Sequence, residues 1–376
     1  MFQPFLAFLD TPQQFLPSGV LAIDTITGGG IPVGHITDIV GEKGLGKTTL
    51  ALHIAAKHLA AGHPVYYVDS EFSLDPSYAR RFFGTTSHCY VLQHSIAEEV
   101  YTHIEQAAAT PHALIILDSI NSLIPHDVAD VPAPKKQEAY SYSTQVGAMA
   151  RITTVFLKRV LPILFNHNST LLIINQYRSN ITTGLLRGPD KKPAGFHFYH
   201  HSIYTRIELA KGETVPNVGI KVIAKVTKNK AAPSHGVASY TLLSHGGIDI
   251  PQDHVDFALR VGILTRSGPW YRYTDPTTGQ THTAQGARHI ASILPLPTVY
   301  HAVMERAPAL LGIDIAKGTT TVSDIPTSGT IPSDTSPSDT STIAHPTPDT
   351  TPVSPNVAPV DAAPVDAAPV DTSPFD

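Results

Sequence analysis

Cysteine occurs once in the 376 residues, at Cys89, which excludes a disulfide within the chain and any zinc site built from thiolates and makes a reducing compartment the natural expectation. No uninterrupted apolar run is long enough to cross a bilayer, so no membrane partner is expected. The opening MFQPFLAFLD is apolar but has no basic residue ahead of its apolar part, which argues against a cleaved signal. It reads instead as a docking segment presenting Phe2, Phe5 and Phe8. Lys and Arg are absent beyond Lys317, whereas Asp324, Asp334, Asp339, Asp349, Asp361, Asp366, Asp371 and Asp376 follow. The net charge of −5 therefore divides between eight tail carboxylates and a body at +3. A mildly basic body with an acidic tail suits a protein that meets a polyanion and limits that attraction.

From about residue 19 to 246 the chain alternates β-rich apolar runs (HITDIV, PVYYVDS, ALIILDS, TLLIINQ) with helical patterns (TTLALHIAAKHLAAG, IAEEVYTHIEQAAA, VGAMARITTVFLKRVLPILF). That alternation predicts an α/β core with a mostly parallel twisted sheet and helices on both faces. Pro162 is expected to bend or interrupt the last helical pattern. Residues 247–316 change to short helices around SGPWYRYTDPTTGQTH, a turn-rich hairpin carrying Trp270, Tyr271 and Tyr273, and read as a small α+β C-terminal domain. In 317–376, GTTTVSDIPTSGTIPSDTSPSD and the repeat APVDAAPVDAAPVD hold too few large apolar groups to offset the entropy of folding, so no fixed structure is expected. Residues 1–18 complete the division as the short docking segment.

The stretch GEKGLGKTT, comprising Gly41, Glu42, Lys43, Gly44, Leu45, Gly46, Lys47, Thr48 and Thr49, follows a strand pattern and opens a helical one. This is the phosphate-binding loop in the context it needs. Its glycines let backbone N–H groups converge on phosphates, Lys47 reaches the outer phosphates, and the Thr48 hydroxyl is placed for Mg²⁺. The strand ALIILDS ends in Asp118, where a carboxylate orients the Mg²⁺ shell. Asp69 and Glu71, carried by VYYVDSEFSLDP just past a strand end, can polarise a water attacking the terminal phosphate, with a turn or cap role as the equal alternative for Asp69.

GEKGLGKTTLALHIAAKHLAAGHPVYYVDSEFSLDPSYAR, LDSINSLIP, STLLIINQYRS and KVTKNKAAP, in that order, resemble the RecA family of ATP-dependent DNA strand-exchange recombinases, phage-encoded members included, over roughly residues 17 to 300. The resemblance implies a RecA-like ATPase core using ATP and Mg²⁺ in the cytoplasm of a bacterial cell or a phage-infected host. It implies Glu71 as general base and Asp118 as the Mg²⁺-orienting acid. Asp75 and Tyr78 are implied to hydrogen-bond and stack on adenine, with a Tyr packed between helices as the alternative. Gln176 would sense the γ-phosphate, and Lys228 and Lys230, which alternate with Asn229 and so face one side of a strand, would reach a neighbouring subunit's γ-phosphate. The active unit would be a homo-oligomeric helical filament.

By the same resemblance two loops, 126–147 and 179–196, line the filament axis and meet single-stranded DNA and the homologous duplex. They carry Lys135, Lys136, Tyr140 and Tyr142, then Arg187, Lys191 and Lys192, with Arg178 just ahead of the second. Cations neutralise phosphates and rings stack on bases, and with no base-reading signature little sequence specificity is expected. Arg151, Thr154 and Lys158 follow the first loop along one helical face and match positions that hold the DNA backbone, against the alternative of an ordinary solvated face. The histidines of FHFYHHSIYT, residues 196–205, lie in a β-rich run that need not converge on a metal. The acidic tail could compete with DNA for the basic loops or bind single-strand-binding or mediator proteins. Rival functions are a recombination mediator or paralogue that binds ATP and DNA without exchanging strands, a hexameric helicase, for which no motor-docking domain or arginine finger is found, and a nucleotide-regulated scaffold.

Overall fold

The structure is a computed structural model that describes residues 12–129, 142–180, 190–193, 197–275 and 278–310, with the backbone alone described at 142–146, 178–180, 190–193 and 307–310. All of these belong to the first of two units, residues 1–319, and the second, 320–376, lies outside the described residues. The expectations for Phe2, Phe5 and Phe8 and for the acidic tail lie outside them too.

The chain begins β1 (Phe15–Leu16), α1 (Leu21–Thr27), β2 (Ile31–Pro32), β3 (Ile36–Gly41), α2 (Lys47–Ala60), β4 (Val65–Asp69), α3 (Pro76–Phe83), β5 (Cys89–Leu92), α4 (Ala97–Ala108) and β6 (Leu114–Asp118). It continues α5 (His126–Ala129), α6 (Tyr142–His167), β7 (Thr170–Asn175), β8 (Tyr177–Asn180), β9 (Asp190–Pro193), α7 (His197–Ser202), β10 (Thr205–Val215), β11 (Gly219–Asn229) and β12 (Val237–Leu243). It closes with α8 (Ile250–Arg260), β13 (Leu264–Ser267), β14 (Trp270–Thr274), β15 (Thr281–Gln285), α9 (Ala287–Ile293) and α10 (Leu296–Leu310).

Eight strands form the main sheet in the order β12-β11-β10-β3-β7-β6-β4-β5. From β10 to β5 every neighbouring pair is parallel, and β10, β11 and β12 are antiparallel. The sheet is thus the mostly parallel one that the alternating pattern predicts. β3, β6 and β7 are buried at every residue, as strands covered on both faces must be. Alternate residues divide between the faces. Ile39, Tyr67, Leu114, Ile116, Leu172 and Ile174 join a cluster with Leu50 and Ile54 of α2 and with α1. Ile36, Val68, Ile115, Leu117, Leu171 and Ile173 join one with Val100 and Ile104 of α4 and Leu157, Val160 and Leu164 of α6.

Two local expectations are corrected. α6 runs without a break through Pro162. The ring removes one N–H, but Leu157 and Val160 before it and Leu164 after it are fully buried in the same cluster, and this burial on both sides keeps the helix uninterrupted against the local penalty. The histidine-rich run is helical, not extended, over α7.

The expected hairpin is β14 and β15, the last two strands of a three-stranded antiparallel sheet, β13-β14-β15. Along β14 Tyr271 and Tyr273 point inward while Trp270 is exposed. Both tyrosines, with Phe257 and Val255 of α8, belong to the same apolar cluster as the first sheet face. α8 also supplies Asp253, whose carboxylate accepts from the N–H groups of Leu21 (2.6 Å) and Ala22 (3.2 Å). Val20, the residue at the start of α1, offers no side-chain cap, so Asp253 satisfies helix N–H groups that would otherwise be orphaned.

Burial pushes both Asp24 and Asp253 up to about 7. Their folded values exceed the ordinary 3.8, so the stability they contribute is complete below that and is lost as pH rises through about 7. Burial pushes His35, His53 and His58 down to about 4 from 6.5, and their contribution runs the other way, growing with pH up to about 6.5. The thermal midpoint is expected to peak near pH 6.5 and to fall by pH 8, and Asp24→Asn to flatten that fall. Melting curves at constant ionic strength check it, and a midpoint still climbing at pH 8 contradicts it.

Candidate functional site

Gly41, Asp69, Asp118 and Asn175 are the final residues of β3, β4, β6 and β7. Four parallel strands therefore deliver polar groups or a loop start to one crevice, the place where open α/β sheets bind ligands. A cavity of about 530 Å³ opens there, lined by Lys43, Gly44, Gly46, Lys47, Thr48, Thr49, Glu71, Asp118, Ile174 and Gln176, with the β12 turn at Leu242, Leu243, Ser244 and Gly246 as its far wall.

Gly44 and Gly46 have φ of +82° and +72°, the left-handed conformation that turns successive backbone N–H groups inward. Gly46 opens α2 without a side-chain cap, so the positive helix end faces the loop. The Lys47 ammonium donates to the carbonyls of Gly41 (3.0 Å) and Glu42 (2.8 Å), while Leu45 is buried in the core below. Thr48 Oγ1 and the Tyr67 hydroxyl both donate to Asp118 Oδ2 at 2.7 Å. Burial lowers the Lys47 ammonium below the ordinary lysine range, against the opposing pull of Asp118 and Glu71. It likewise pushes Asp118 up, although the Thr48 and Tyr67 hydrogen bonds favour its charged form. An anion beside Lys47 and a cation beside Asp118 would each favour the charged state that burial opposes.

Glu71 stands across the cavity. Its Oε1 accepts from Ser119 Oγ at 2.5 Å and from Gln176 Nε2 at 3.2 Å, which joins two residues 105 positions apart. Asp69 goes to the turn: it accepts from the N–H groups of Ser73 and Leu74 and from Gln93 Nε2. Asp75 caps α3 through the N–H groups of Ser77 and Tyr78. The Tyr78 hydroxyl pairs with Thr49 Oγ1 at 2.8 Å, its ring meets Phe82 edge-on, and the Arg81 guanidinium lies over it. Arg81 also donates to the carbonyls of His245 and Gly246, tying α3 to the β12 turn.

Lys228 and Lys230 lie elsewhere. Lys228 Nζ donates to the carbonyls of His200 (2.6 Å) and His201 (3.3 Å), and Lys230 Nζ to that of His201 (3.3 Å). Both satisfy carbonyls at the end of α7 and do face one side. In register, Lys228 pairs with Arg206 and Arg206 with Asp38. The lysines thus flank the early part of β3, about 10 Å along the strand from the phosphate loop.

Arg151 is exposed on α6, Thr154 Oγ1 donates back to the Ala150 carbonyl, and Lys158 sits 5.3 Å from the Phe198 ring centre. Arg178 and Lys192 are directly opposite in the β8-β9 ribbon and Lys191 is opposite Ser179. Lys135, Lys136, Tyr140 and Arg187 lie outside the described residues, as do the side chains of Tyr142, Arg178, Lys191 and Lys192. Among the described residues no group of three or more His, Cys, Asp and Glu can hold a metal, and no helix is long and apolar enough to cross a membrane.

Sequence reasoning missed Tyr67, Ser119 and the β12 turn. Strand parity could have found Tyr67, which shares a face with Asp69. Nothing local marks Leu242 to Gly246 as a wall of a loop two hundred residues earlier.

A phosphate loop at the end of a central parallel strand, with a hydroxyl–carboxylate pair and a polarised carboxylate facing it, defines a P-loop nucleotide-binding protein with a RecA-like core. Residues 9–249 match the family model described as the RecA N-terminal domain. Protein RecA of Aquifex aeolicus is 33% identical over 274 residues, 71% of this chain and 76% of that relative. Protein RecA of Sulfurimonas denitrificans is 30% identical over 311 residues, 80% of this chain and 86% of its own length. The chain belongs to the RecA family of recombinases.

Proposed function

We propose that this chain is an ATP-dependent recombinase that assembles as a helical filament on single-stranded DNA, pairs it with a homologous duplex and hydrolyses ATP between subunits. The observation that carries this is the separation of two sets of groups: the phosphate loop, Glu71 and Gln176 share a cavity, while Lys228 and Lys230 do not line it and sit on the carbonyls that end α7, about 10 Å along the strand direction from the loop. A lysine pair so placed serves a triphosphate held by another copy, which a head-to-tail assembly supplies.

Within the cavity, backbone N–H groups from Gly44 to Thr48 and the Lys47 ammonium take the phosphates. The Thr48 hydroxyl and the Asp118 carboxylate are hard oxygen donors that suit Mg²⁺, which when bound neutralises charge between the outer phosphates. Glu71 takes the proton of the attacking water, with its Oε1 held in place by Ser119 and Gln176. A γ-phosphate competes with Glu71 for the Gln176 amide. Because Gln176 immediately precedes β8, the strand that leads into the second loop, this exchange shifts the loop population toward a DNA-binding arrangement. Asp75 and Tyr78 take the adenine end, where Tyr78 borders the β12 turn. Lys135, Lys136, Arg178, Arg187, Lys191 and Lys192, with Arg151, Thr154 and Lys158 of α6, hold the DNA backbone.

The purified protein is expected to hydrolyse ATP at least about tenfold faster with single-stranded DNA than without, and to form filaments on that DNA with a non-hydrolysable nucleotide, visible by electron microscopy. Hydrolysis indifferent to DNA and no filaments would refute the proposal. Filaments without strand exchange would assign the chain to the mediator class instead.

A further inference from the structure

A chain of buried polar groups crosses the sheet between the cavity and the lysine pair. At the cavity end the Gln176 N–H donates to Asn175 Oδ1 at 2.7 Å. Asn175 Nδ2 donates to the Tyr199 hydroxyl at 3.4 Å, and that hydroxyl donates to Asp38 Oδ1 at 2.9 Å. Arg206 Nε donates to the other Asp38 oxygen at 2.8 Å. Arg206 Nη2 then donates to His200 Nδ1 at 2.9 Å, and the His200 carbonyl accepts the Lys228 ammonium.

Strand parity puts these groups on one face. Arg206 is in register with both Asp38 and Lys228, and Asn175 is in register with Val40, two residues beyond Asp38. The six residues of α7 bring Tyr199 and His200 onto that face. Asp38 and Asn175 are fully buried, and Tyr199 and Arg206 nearly so.

We propose that this chain sets the position of Lys228 and Lys230 according to the state of Gln176, with Tyr199, Asp38 and Arg206 as positioning residues that touch neither nucleotide nor DNA. The inference rests on the roles given above to Gln176 and the lysines. Asp38, Asn175 and Tyr199 are buried, so a turn of the Asn175 amide takes a donor from the Tyr199 hydroxyl at a cost that is smaller if the Tyr199–Asp38 pair shifts with it. Asp38 has Arg206 as its hydrogen-bonded countercharge, and separating them would leave a buried charge uncompensated. The links therefore favour moving together over moving singly, as coupling between the two ends requires. Each subunit's own nucleotide would in this way ready the lysines it presents to its neighbour.

Tyr199→Phe tests this, because it removes one hydroxyl and keeps the ring. Affinity for a fluorescent ATP analogue and hydrolysis without DNA are expected to stay within about twofold, while hydrolysis stimulated by poly(dT) falls about tenfold. Combined with Lys228→Ala, the substitution is expected to add nothing to the loss from Lys228→Ala alone. Asp38→Asn, which keeps shape and removes charge, should lower DNA stimulation in the same way. Full stimulation in either variant, or losses that multiply in the double variant, overturns the inference and returns these residues to a purely structural role. If instead the unaltered protein shows no stimulation by DNA, or Lys228→Ala costs nothing, the function proposed above fails, and this inference with it.

Discussion

Lys47→Ala is expected to lower ATP hydrolysis by about a thousandfold and to abolish nucleotide-dependent DNA binding. Lys47 is the first residue of α2, and its stem is packed at the cavity floor with the ammonium on the Gly41 and Glu42 carbonyls. Two consequences follow from removing it. The loop loses a tie that holds those carbonyls in place, a cost of about 1 kcal/mol for each hydrogen bond. The incoming triphosphate loses the one loop cation whose side chain is held inside the cavity, since Lys43 is exposed at its rim. The second loss dominates, because in a site shielded from water a cation aimed at developing phosphate charge stabilises the transition state far more than the ground state. Lys47→Arg restores charge but replaces a point donor with a planar fork, so it should recover nucleotide binding more than hydrolysis. Phosphate release, with a melting curve for each variant, separates chemistry from folding. Hydrolysis unchanged in Lys47→Ala would mean that the cavity is not the ATP site.

Much of this site was legible because its chemistry sits at strand ends. Gly41, Asp118 and Gln176 each follow an apolar run whose length and β-branched character mark a buried strand, and parallel strands deliver their last residues to one edge. Glu71 could be placed near them on the same ground. The Asp69 alternative resolved to the turn because its carboxylate has two backbone N–H groups within reach four and five residues on, an option that proximity to a strand end does not reveal.

What was not legible depends on contacts between distant segments. FHFYHHSIYT is rich in residues that favour strands, yet its His197–Ser202 part forms α7, because a helix there places Tyr199 against Asp38 and its last carbonyls against Lys228 and Lys230. Tertiary pairing outweighs propensity at such short elements. Pro162 marks a break that burial on both sides overrides. The capping of α1 by Asp253 joins residues 232 positions apart, and no local pattern carries that information. The lysine pair was recognisable as facing one side, but which way that side points relative to the phosphate loop is a property of the assembled sheet.

That orientation leads to the largest expected effect on assembly chemistry. Lys228→Ala combined with Lys230→Ala should leave the variant's own loop intact, and nucleotide binding near normal, while hydrolysis falls about a thousandfold, the scale of a cationic finger supplied in trans. Glu71→Gln should fail for the complementary reason, with intact lysines but no base for the water. Each variant alone is nearly inactive, and in a filament the two defects need not coincide at one interface. Where the loop of a lysine-deficient subunit meets the lysines of a Glu71→Gln subunit, every group needed for hydrolysis is present. In an equal mixture assembling at random head to tail, about a quarter of the interfaces have that composition, so mixing the two inactive proteins on single-stranded DNA should restore about a quarter of the normal rate. A site completed within one chain gives no recovery at any mixing ratio, because neither polypeptide holds both halves. Rate against mixing ratio thus decides between the two arrangements: a curve that peaks at equal proportions requires the lysines of one copy to serve the nucleotide of the next, and a flat line at the residual level of the single variants rules this out.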